Sequence, residues 1–234
     1  MDRESTISSG GRSVITLEQA LARPINEAYL AFARHVNPVE AKLLRLGNFA
    51  KLYARAQGLY FHDARGRRYM DFTAGFGALN LGHNPPEVLA AVRKAQSLPT
   101  VLLAGFSPLA GALAEALAGI LPGELSVACF GNGGAEAVEL ALKTARAATR
   151  RTRFVSCANA YHGLSFGAMS VSGSGRYRAI FGPLVEHCET VPFGDVAALL
   201  PHLANEDVAA FIVEPLQGEG GAVVPPEGYL KAVA

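Results

Sequence analysis

The sequence has no tryptophan, only three cysteines and no excess of either charge. Its 21 Lys and Arg residues against 20 Asp and Glu leave a net charge of +1, which gives no electrostatic reason to expect a nucleic-acid partner. No apolar run approaches the ~20 residues of a membrane-spanning helix. The N-terminal residues also lack the apolar stretch of a signal peptide. These absences predict a cytoplasmic protein with neither nucleic acid nor membrane as a partner.

Cys129, Cys157 and Cys188 are far apart in the sequence and form no CxxC motif. Their odd number argues against a set of disulfides, and no spacing typical of a metal site is present. Two of them lie in apolar, strand-like runs, where a free cysteine packs as a small hydrophobic side chain. We therefore expect core packing rather than a metal site or a disulfide.

Half of the 234 residues are hydrophobic, so the chain can bury a sizeable core. Residues 1–15 look like a loose leader. Apolar spacing then predicts a helix that begins at Leu17 and breaks near Pro24. The alternating run GLYFHDARGRRYMDF predicts a hairpin that turns at Asp63–Gly66.

Two later helices have clear starting signals. Asn84 is expected to cap the first, which has prolines in its first turn. Ser107-Pro108 opens the second, in which Leu109 and Leu113 share one face.

From residue 126 the pattern repeats strand, turn and helix. Predicted strands at Ser126–Phe130, 153–158 and 207–215 each lead into a polar or glycine-rich stretch. The last of them is apolar on both faces, as in a central strand of a parallel sheet covered by helices. Because ligands of open α/β sheets bind at the carboxyl ends of the strands, these three stretches are candidate site segments.

The stretch FGNGGAEAVELALK leads from the first of these strands into a helix. Backbone N–H groups near Gly133, Gly134 and Ala135 could hold a phosphate or a carboxylate. The glycines could equally serve a tight turn that needs a positive φ. The spacing matches neither a dinucleotide-binding loop nor a P-loop.

The other two segments carry side chains suited to an aromatic ligand. Tyr161 could lie flat on a ring and His162 could orient a neighbour, although both also fit a packing role. Glu214 follows an apolar strand, where a carboxylate is costly unless it is paired, and Glu219 could lie on a surface turn. An anion cradle, a stacking aromatic and a carboxylate together suit a phosphorylated aromatic cofactor.

In their order and spacing, five segments resemble the class III aminotransferases, and within that family the putrescine (diamine) aminotransferases. They are GLYFHDARGRRYMDFTAGFGALNLGHNPPEVLAAV, FGNGGAEAVELALKTAR, AYHGLSFGAMS, VPFGD and VEPLQGEGGAVVPPEGYLKAV. The resemblance implies pyridoxal 5'-phosphate as the cofactor. It also implies an α/β fold of the aspartate aminotransferase type, with a mostly parallel sheet that has helices on both faces and is incomplete at its C-terminal end.

By this resemblance, Gly134 and Ala135 offer backbone N–H groups to the cofactor phosphate. Gly133 lies in the same loop but departs from the family, which usually has serine at this position. One side-chain contact to the phosphate region is therefore not supplied here.

The resemblance also assigns the residues after the later strands. Tyr161 is expected to stack on the pyridine ring, with His162 beside it. Glu214 belongs to the surroundings of the cofactor, and Glu219 to the substrate side.

The family's chemistry needs a lysine that bonds to the cofactor and an acid on the pyridinium nitrogen. None of the five lysines follows a strand in the family's pattern; they are Lys42, Lys51, Lys94, Lys143 and Lys231. No aspartate ends an apolar strand either. The sequence therefore assigns no catalytic residue to this chain, which looks like the N-terminal part of the enzyme and is expected to be inactive alone.

The resemblance divides the chain into a helical leader (1–58), the first part of a small domain with a linker (59–104), and a truncated cofactor-binding large domain (105–234). It predicts transfer of an amino group from an amine or omega-amino donor such as putrescine to a 2-oxo acid. The complete enzyme is expected to be a homodimer or larger. The alternative is a catalytically incomplete remnant, or half of a split enzyme, that acts as an interaction module.

Overall fold

The computed structural model describes residues 14–99 and 105–234. Its contacts form two compact units, Met1–Leu102 and Leu103–Ala234. Apart from residues 14 and 15, the predicted leader lies outside the described residues. No helix in the described ranges is both long enough and apolar enough to cross a membrane.

The first unit begins with three helices, α1 (Leu17–Leu21), α2 (Ile25–His35) and α3 (Pro38–Leu46). The predicted break near Pro24 is confirmed, because this proline stands immediately before α2. A proline ring disfavours the helical conformation of the residue that precedes it, so α1 cannot continue into α2.

The first unit also contains an antiparallel sheet of β1 (Tyr53–Gln57), β2 (Tyr60–Asp63) and β3 (Arg68–Met70), in that order. The predicted hairpin is confirmed. The Asp63 carboxylate accepts hydrogen bonds from the backbone N–H groups of Arg65 and Arg67 at 2.9 and 3.0 Å, which fixes the turn. The expected division between residues 58 and 59 falls between β1 and β2, which are hydrogen-bonded neighbours.

The last helix of this unit, α4 (Pro86–Ala95), forms as predicted, but the cap assigned to Asn84 is wrong. The side-chain amide of Asn84 donates to the carbonyl of Ala56 at 2.8 Å, and Pro85 stands at the cap position without a side-chain bond. The partner of this amide is 28 residues away in the sequence, so a local sequence pattern could not indicate it.

The second unit combines six helices and three strands in its described residues. The helices are α5 (Pro108–Ala118), α6 (Gly134–Thr149), α7 (Phe166–Val171), α8 (Gly175–Phe181), α9 (Val196–Leu203) and α10 (Tyr229–Val233); the strands are β4 (Arg153–Cys157), β5 (Cys188–Val191) and β6 (Val208–Phe211). The predicted start of α5 is confirmed, because the Ser107 hydroxyl accepts from the N–H of Ala110 at 3.2 Å. The three strands form a parallel sheet in the order β5-β4-β6.

Side chains of β4 alternate between two hydrophobic clusters. Phe154 packs with Leu142 of α6 on one face of the sheet. Val155 packs with Val191 and Leu199 of α9 on the other. Helices therefore cover both faces of a parallel sheet, which confirms the predicted α/β fold.

One strand prediction is wrong in this unit. Residues 126–130 form no strand, and Val127 is 89% exposed. An apolar run becomes a strand only when a neighbour satisfies its backbone groups, and none of the described strands pairs with this segment. In the described sheet β4 is central and β6 lies at an edge.

The three cysteines are free and differ in burial. Cys157 is fully buried, as predicted for core packing, and Cys188 is partly buried. Cys129 lies in the segment that forms no strand and is exposed, so the core role expected for it is wrong. In the described ranges, no group of three His, Cys, Asp or Glu side chains is arranged to hold a metal ion.

Candidate cofactor site

The loop before α6 leaves backbone donors open. Gly134 and Ala135 are the first two residues of α6, and no described residue accepts a hydrogen bond from their N–H groups. Gly133 is extended, with φ −167° and ψ 168°, and Gly134 is helical. Neither glycine needs a positive φ, so the tight-turn explanation is wrong for them. A Cβ atom at Gly134 would meet no atom within 4 Å, so space is open beside these N–H groups.

The polar loop that follows β4 packs directly on the start of α6. Gly163 has φ +124°, and a Cβ atom there would lie 2.8 Å from the Cβ atom of Ala135. Only glycine allows this approach. The contact brings Tyr161 and His162, which immediately precede Gly163, to the N-terminal end of α6.

The Glu214 carboxylate joins the segments that follow β4 and β6. It accepts hydrogen bonds from the N–H of Tyr161 at 3.1 Å and from the N–H of Gly218 at 3.4 Å. The carboxylate is thus paired, as its position after an apolar strand requires.

His162 is held by its backbone and leaves one ring nitrogen free. Its N–H donates to the Ser172 hydroxyl at 3.0 Å, which in turn donates to the carbonyl of Ala168 at 3.0 Å. The imidazole Nε2 is buried without a hydrogen-bond partner among the described atoms. Burial lowers the pKa of His162, against the opposing charge of Glu214, and so favours the neutral ring. A neutral ring with a free nitrogen can bind a ligand group.

The structure does not bring the Glu219 side chain into this group. Glu219 is exposed and lies in the turn between Gln217 and Val223, which pair as an isolated bridge. No hydrogen bond or ion pair joins its carboxylate to another described residue.

Sequence reasoning missed the role of Glu139 on α6. Its carboxylate accepts from the Ser165 hydroxyl at 2.6 Å and from the N–H groups of Gly167 and Ala168 at 2.7 and 3.2 Å. Burial opposes ionisation, but these bonds outweigh it and lower the pKa of Glu139. A carboxylate of α6 thus holds the N-terminal end of α7, and no local signal marks it.

Gln217 was also missed. It is only 2% exposed, and its side-chain amide donates to the carbonyl of Ala158 at 2.8 Å. Below it, the Cys157 thiol lies 3.6 Å from the Tyr229 hydroxyl of α10, and burial raises the pKa of Tyr229 to about 12. These contacts fix the loop that carries Tyr161.

The family is decided by a match to the model for class-III aminotransferases over residues 45–234. The chain belongs to the class III aminotransferases. It is 38% identical over 223 residues to a putrescine aminotransferase of Pectobacterium atrosepticum. This match covers 88% of this chain and 47% of that protein. It is 37% identical over 205 residues to the aminotransferase PigE of a Serratia species, with 86% of this chain and 24% of that protein covered.

Solved structures agree on the fold. An omega-transaminase of Thermomicrobium roseum matches with a TM-score of 0.77 and 32% identity over 89% of this chain and 53% of its own. The ornithine aminotransferase of Toxoplasma gondii matches with a TM-score of 0.71 and 31% identity. The match covers 90% of this chain and 53% of that one. An amine transaminase of a Pseudomonas species, in its pyridoxal-phosphate-bound form, matches with a TM-score of 0.66 and 32% identity. The match covers 78% of this chain and 48% of that one.

These comparisons confirm the predicted family and fold. Pyridoxal 5'-phosphate is the cofactor of class III aminotransferases, as the sequence resemblance implied. The chain spans about half the length of the solved relatives, and less than half of the two relatives compared by sequence. The open N–H groups at α6 and the free Nε2 of His162 fit a phosphorylated ring.

Proposed function

We propose that this chain forms the phosphate- and ring-binding part of a pyridoxal-phosphate-dependent aminotransferase. The observation that carries the proposal is the close contact of Gly163 with Ala135. It gathers the open N–H groups of α6 and the pair Tyr161–His162 at one end of the sheet, where ligands of such folds bind.

Each residue has a separate task in this proposal. The N–H groups of Gly134 and Ala135 bind the phosphate, where charge-assisted bonds are strong. The Tyr161 ring stacks on the pyridine, and the free Nε2 of His162 supplies a hydrogen bond beside it. Glu214 holds the Tyr161 backbone in place. Bound pyridoxal phosphate acts as an electron sink for the substrate carbon and carries the amino group.

The catalytic lysine is proposed to come from outside this chain. The lysines of the second unit are Lys143 on α6 and Lys231 on α10, and both are exposed. The proposal therefore assigns binding, but no turnover, to this chain alone. With pyridoxal phosphate and borohydride, we expect no stoichiometric reduction onto a single lysine and no amino transfer; either result would contradict this assignment.

The substrates and the assembly are proposed from the relatives and the surface. The identity to a putrescine aminotransferase favours an amine or omega-amino donor. A 2-oxo acid acceptor is favoured by the match, at 28% identity and a TM-score of 0.71, to a taurine:2-oxoglutarate aminotransferase of Bifidobacterium kashiwanohense. Exposed apolar side chains, among them Phe106, favour a homodimer or a larger assembly of the complete enzyme. The cytoplasmic location and the substrate role of Glu219 stay predictions.

The decisive experiment fills the space beside the open N–H groups. Gly134→Leu places a side chain where no described atom lies within 4 Å, so the variant should fold but lose the absorbance of retained pyridoxal phosphate. Gly111→Leu on α5 is the matched control, since a Cβ atom there also meets nothing within 4 Å. A Gly134→Leu variant that retains cofactor as tightly as the parent would show that α6 does not bind the phosphate.

Two Tyr161 variants test the ring contact separately. Tyr161→Ala should weaken cofactor retention by about 1 kcal/mol, roughly five-fold, because stacking is lost. Tyr161→Phe keeps the ring and should bind like the parent. A Phe variant as damaged as the Ala variant would assign the contact to the hydroxyl instead.

A further inference from the structure

Three basic side chains form a row across the sheet of the first unit. The register places Arg55 of β1 opposite His62 of β2, and His62 opposite Arg68 of β3. Residues paired in this way project from the same face of a sheet. We call Arg55, His62 and Arg68 the basic row.

A β-bulge brings Arg55 onto this face. Strict alternation would put Tyr53 and Arg55 on the same side of β1, but the register shifts between them. The ring centroid of Tyr53 lies 4.9 Å from that of Phe61 and 6.2 Å from that of Tyr69, so the three rings form an aromatic cluster. Phe61 and Tyr69 alternate with His62 and Arg68 along their strands, so the cluster occupies the opposite face. The bulge thus turns Arg55 away from the aromatic cluster and towards His62 and Arg68.

The basic row lacks a counter-charge in the part of the chain that the structure describes. The neighbouring acid, Asp63, alternates to the other face, where Arg67 and Tyr69 each bond it at 2.9 Å. The Nδ1 atom of His62 is buried with no hydrogen-bond partner among the described atoms. The row therefore has positive charge and an unused ring nitrogen at the same place.

A cavity of about 550 Å³ opens over the basic row, and Gly58 and Tyr60 also line it. This volume is in the range of small-molecule sites. Arg68 lies 4.5 Å from the Tyr60 ring centroid, a contact that positions its guanidinium at the cavity wall. Neighbouring strands are about 4.8 Å apart, so the two arginines start roughly 10 Å apart, which suits an anion with two linked charged groups.

We propose that the basic row is a binding site for a small anion that carries linked phosphates. Arg55 and Arg68 bind its oxygens from two sides, each through the planar fork of donors that matches a phosphate. His62 contributes its Nδ1 between them. This site lies in the first unit and does not depend on the proposed cofactor site of the second unit.

Equilibrium dialysis of the full chain against radiolabelled inorganic pyrophosphate tests the proposal. We expect saturable binding that Arg55→Gln and Arg68→Gln each weaken about ten-fold or more, because each removes a charge-assisted pair. Arg68→Lys keeps the charge but loses the fork, and should fall between the parent and Arg68→Gln. Arg65→Gln is the matched control: it makes the same charge change in the exposed turn of the same hairpin and should bind like the parent.

The start of α6 could also hold pyrophosphate, so the dialysis is repeated with Gly134→Leu. Binding to the basic row should persist in this variant, whereas binding at α6 should not. Loss of all pyrophosphate binding in Gly134→Leu would overturn the proposal while supporting the cofactor site.

Three other results would overturn the proposal. They are no saturable binding by the parent, equal binding by the parent and the Arg55→Gln/Arg68→Gln double variant, and an equal loss in Arg65→Gln. Tighter binding of citrate than of pyrophosphate would overturn the assignment to phosphate. Each variant is compared with the parent by thermal melting, so that a loss of binding is read only from folded protein.

Discussion

Two apolar regions of the second unit differ sharply in burial. Around β4, Phe154 is 2% exposed and Val155 is fully buried. In residues 105–130, α5 contains no buried residue, and Phe106 is 94% exposed. Both regions are rich in hydrophobic side chains, so composition does not explain the difference. The difference shows that an apolar segment is buried only where another element covers it.

The covering elements differ in the same way. The β4 strand has neighbours on both edges and helices against both faces. In α5, Leu109 and Leu113 are 57% and 51% exposed, so the described residues leave the shared leucine face largely open. Exposed apolar patches of more than several hundred Å² are unusual on monomers and mark contact surfaces.

The largest expected effect comes from one phenylalanine in each region. Phe154→Ala should lower the free energy of unfolding by about 3–5 kcal/mol, because it leaves a cavity in a closed core. Phe106→Ala should change it by less than about 0.5 kcal/mol, since the side chain is already exposed. Urea titration followed by circular dichroism measures both. Equal losses in the two variants would remove the distinction between the regions.

Binding of a hydrophobic dye tests the exposed region directly. The exposed region should make the parent chain bind a hydrophobic dye strongly and self-associate. Phe106→Ala should reduce the dye signal. A parent that melts cooperatively as a monomer and binds no dye would mean that the region is covered in solution.

A matched pair of carboxylates gives the next largest effect. Glu139→Gln should lower the free energy of unfolding by about 2 kcal/mol, because the charge that accepts three hydrogen bonds at α7 is removed. Glu115→Gln makes the same change on the exposed helix α5 and should be close to neutral. If Glu139→Gln is neutral at pH 7, the anchoring of α7 does not depend on the charge.

The smallest effect is a pH dependence from His162. Burial lowers its folded pKa below the ordinary value of 6.5, so the unfolded chain takes up the proton first as the pH falls. The stability is therefore fully present above about pH 6.5 and decreases as the pH falls through the lower folded-state pKa. His162→Gln should reduce the loss of stability between pH 7.5 and pH 5.5 in paired urea titrations. An unchanged slope would show that His162 is not buried in its neutral form.

The elements predicted well are those whose signals lie within a few residues. The break at Pro24, the turn at Asp63 and the cap by Ser107 depend on backbone chemistry that a short segment contains. The helix that follows Gly133 and the strand at β4 were predicted for the same reason. The order of several such segments was enough to indicate the family.

The candidate site was predicted only in part. Sequence spacing found the loop before α6 and the pair Tyr161–His162, and the structure brings these together with Glu214. It leaves the Glu219 side chain outside. Nothing in a local pattern showed that Gly163 must approach Ala135, because close packing is a property of two segments and not of one.

What the sequence by itself determined is the set of local elements and the family they belong to. Only the tertiary structure decided which partners the polar and apolar groups found. Asn84, which was expected to cap a helix close to it in sequence, bonds to Ala56, and Glu139 bonds to Gly167; each bond spans 28 residues. The basic row likewise exists only through the register and bulge of three strands. Polar groups bond to, and apolar groups pack against, whichever groups are near in space. Residues that are near in the sequence are only some of these.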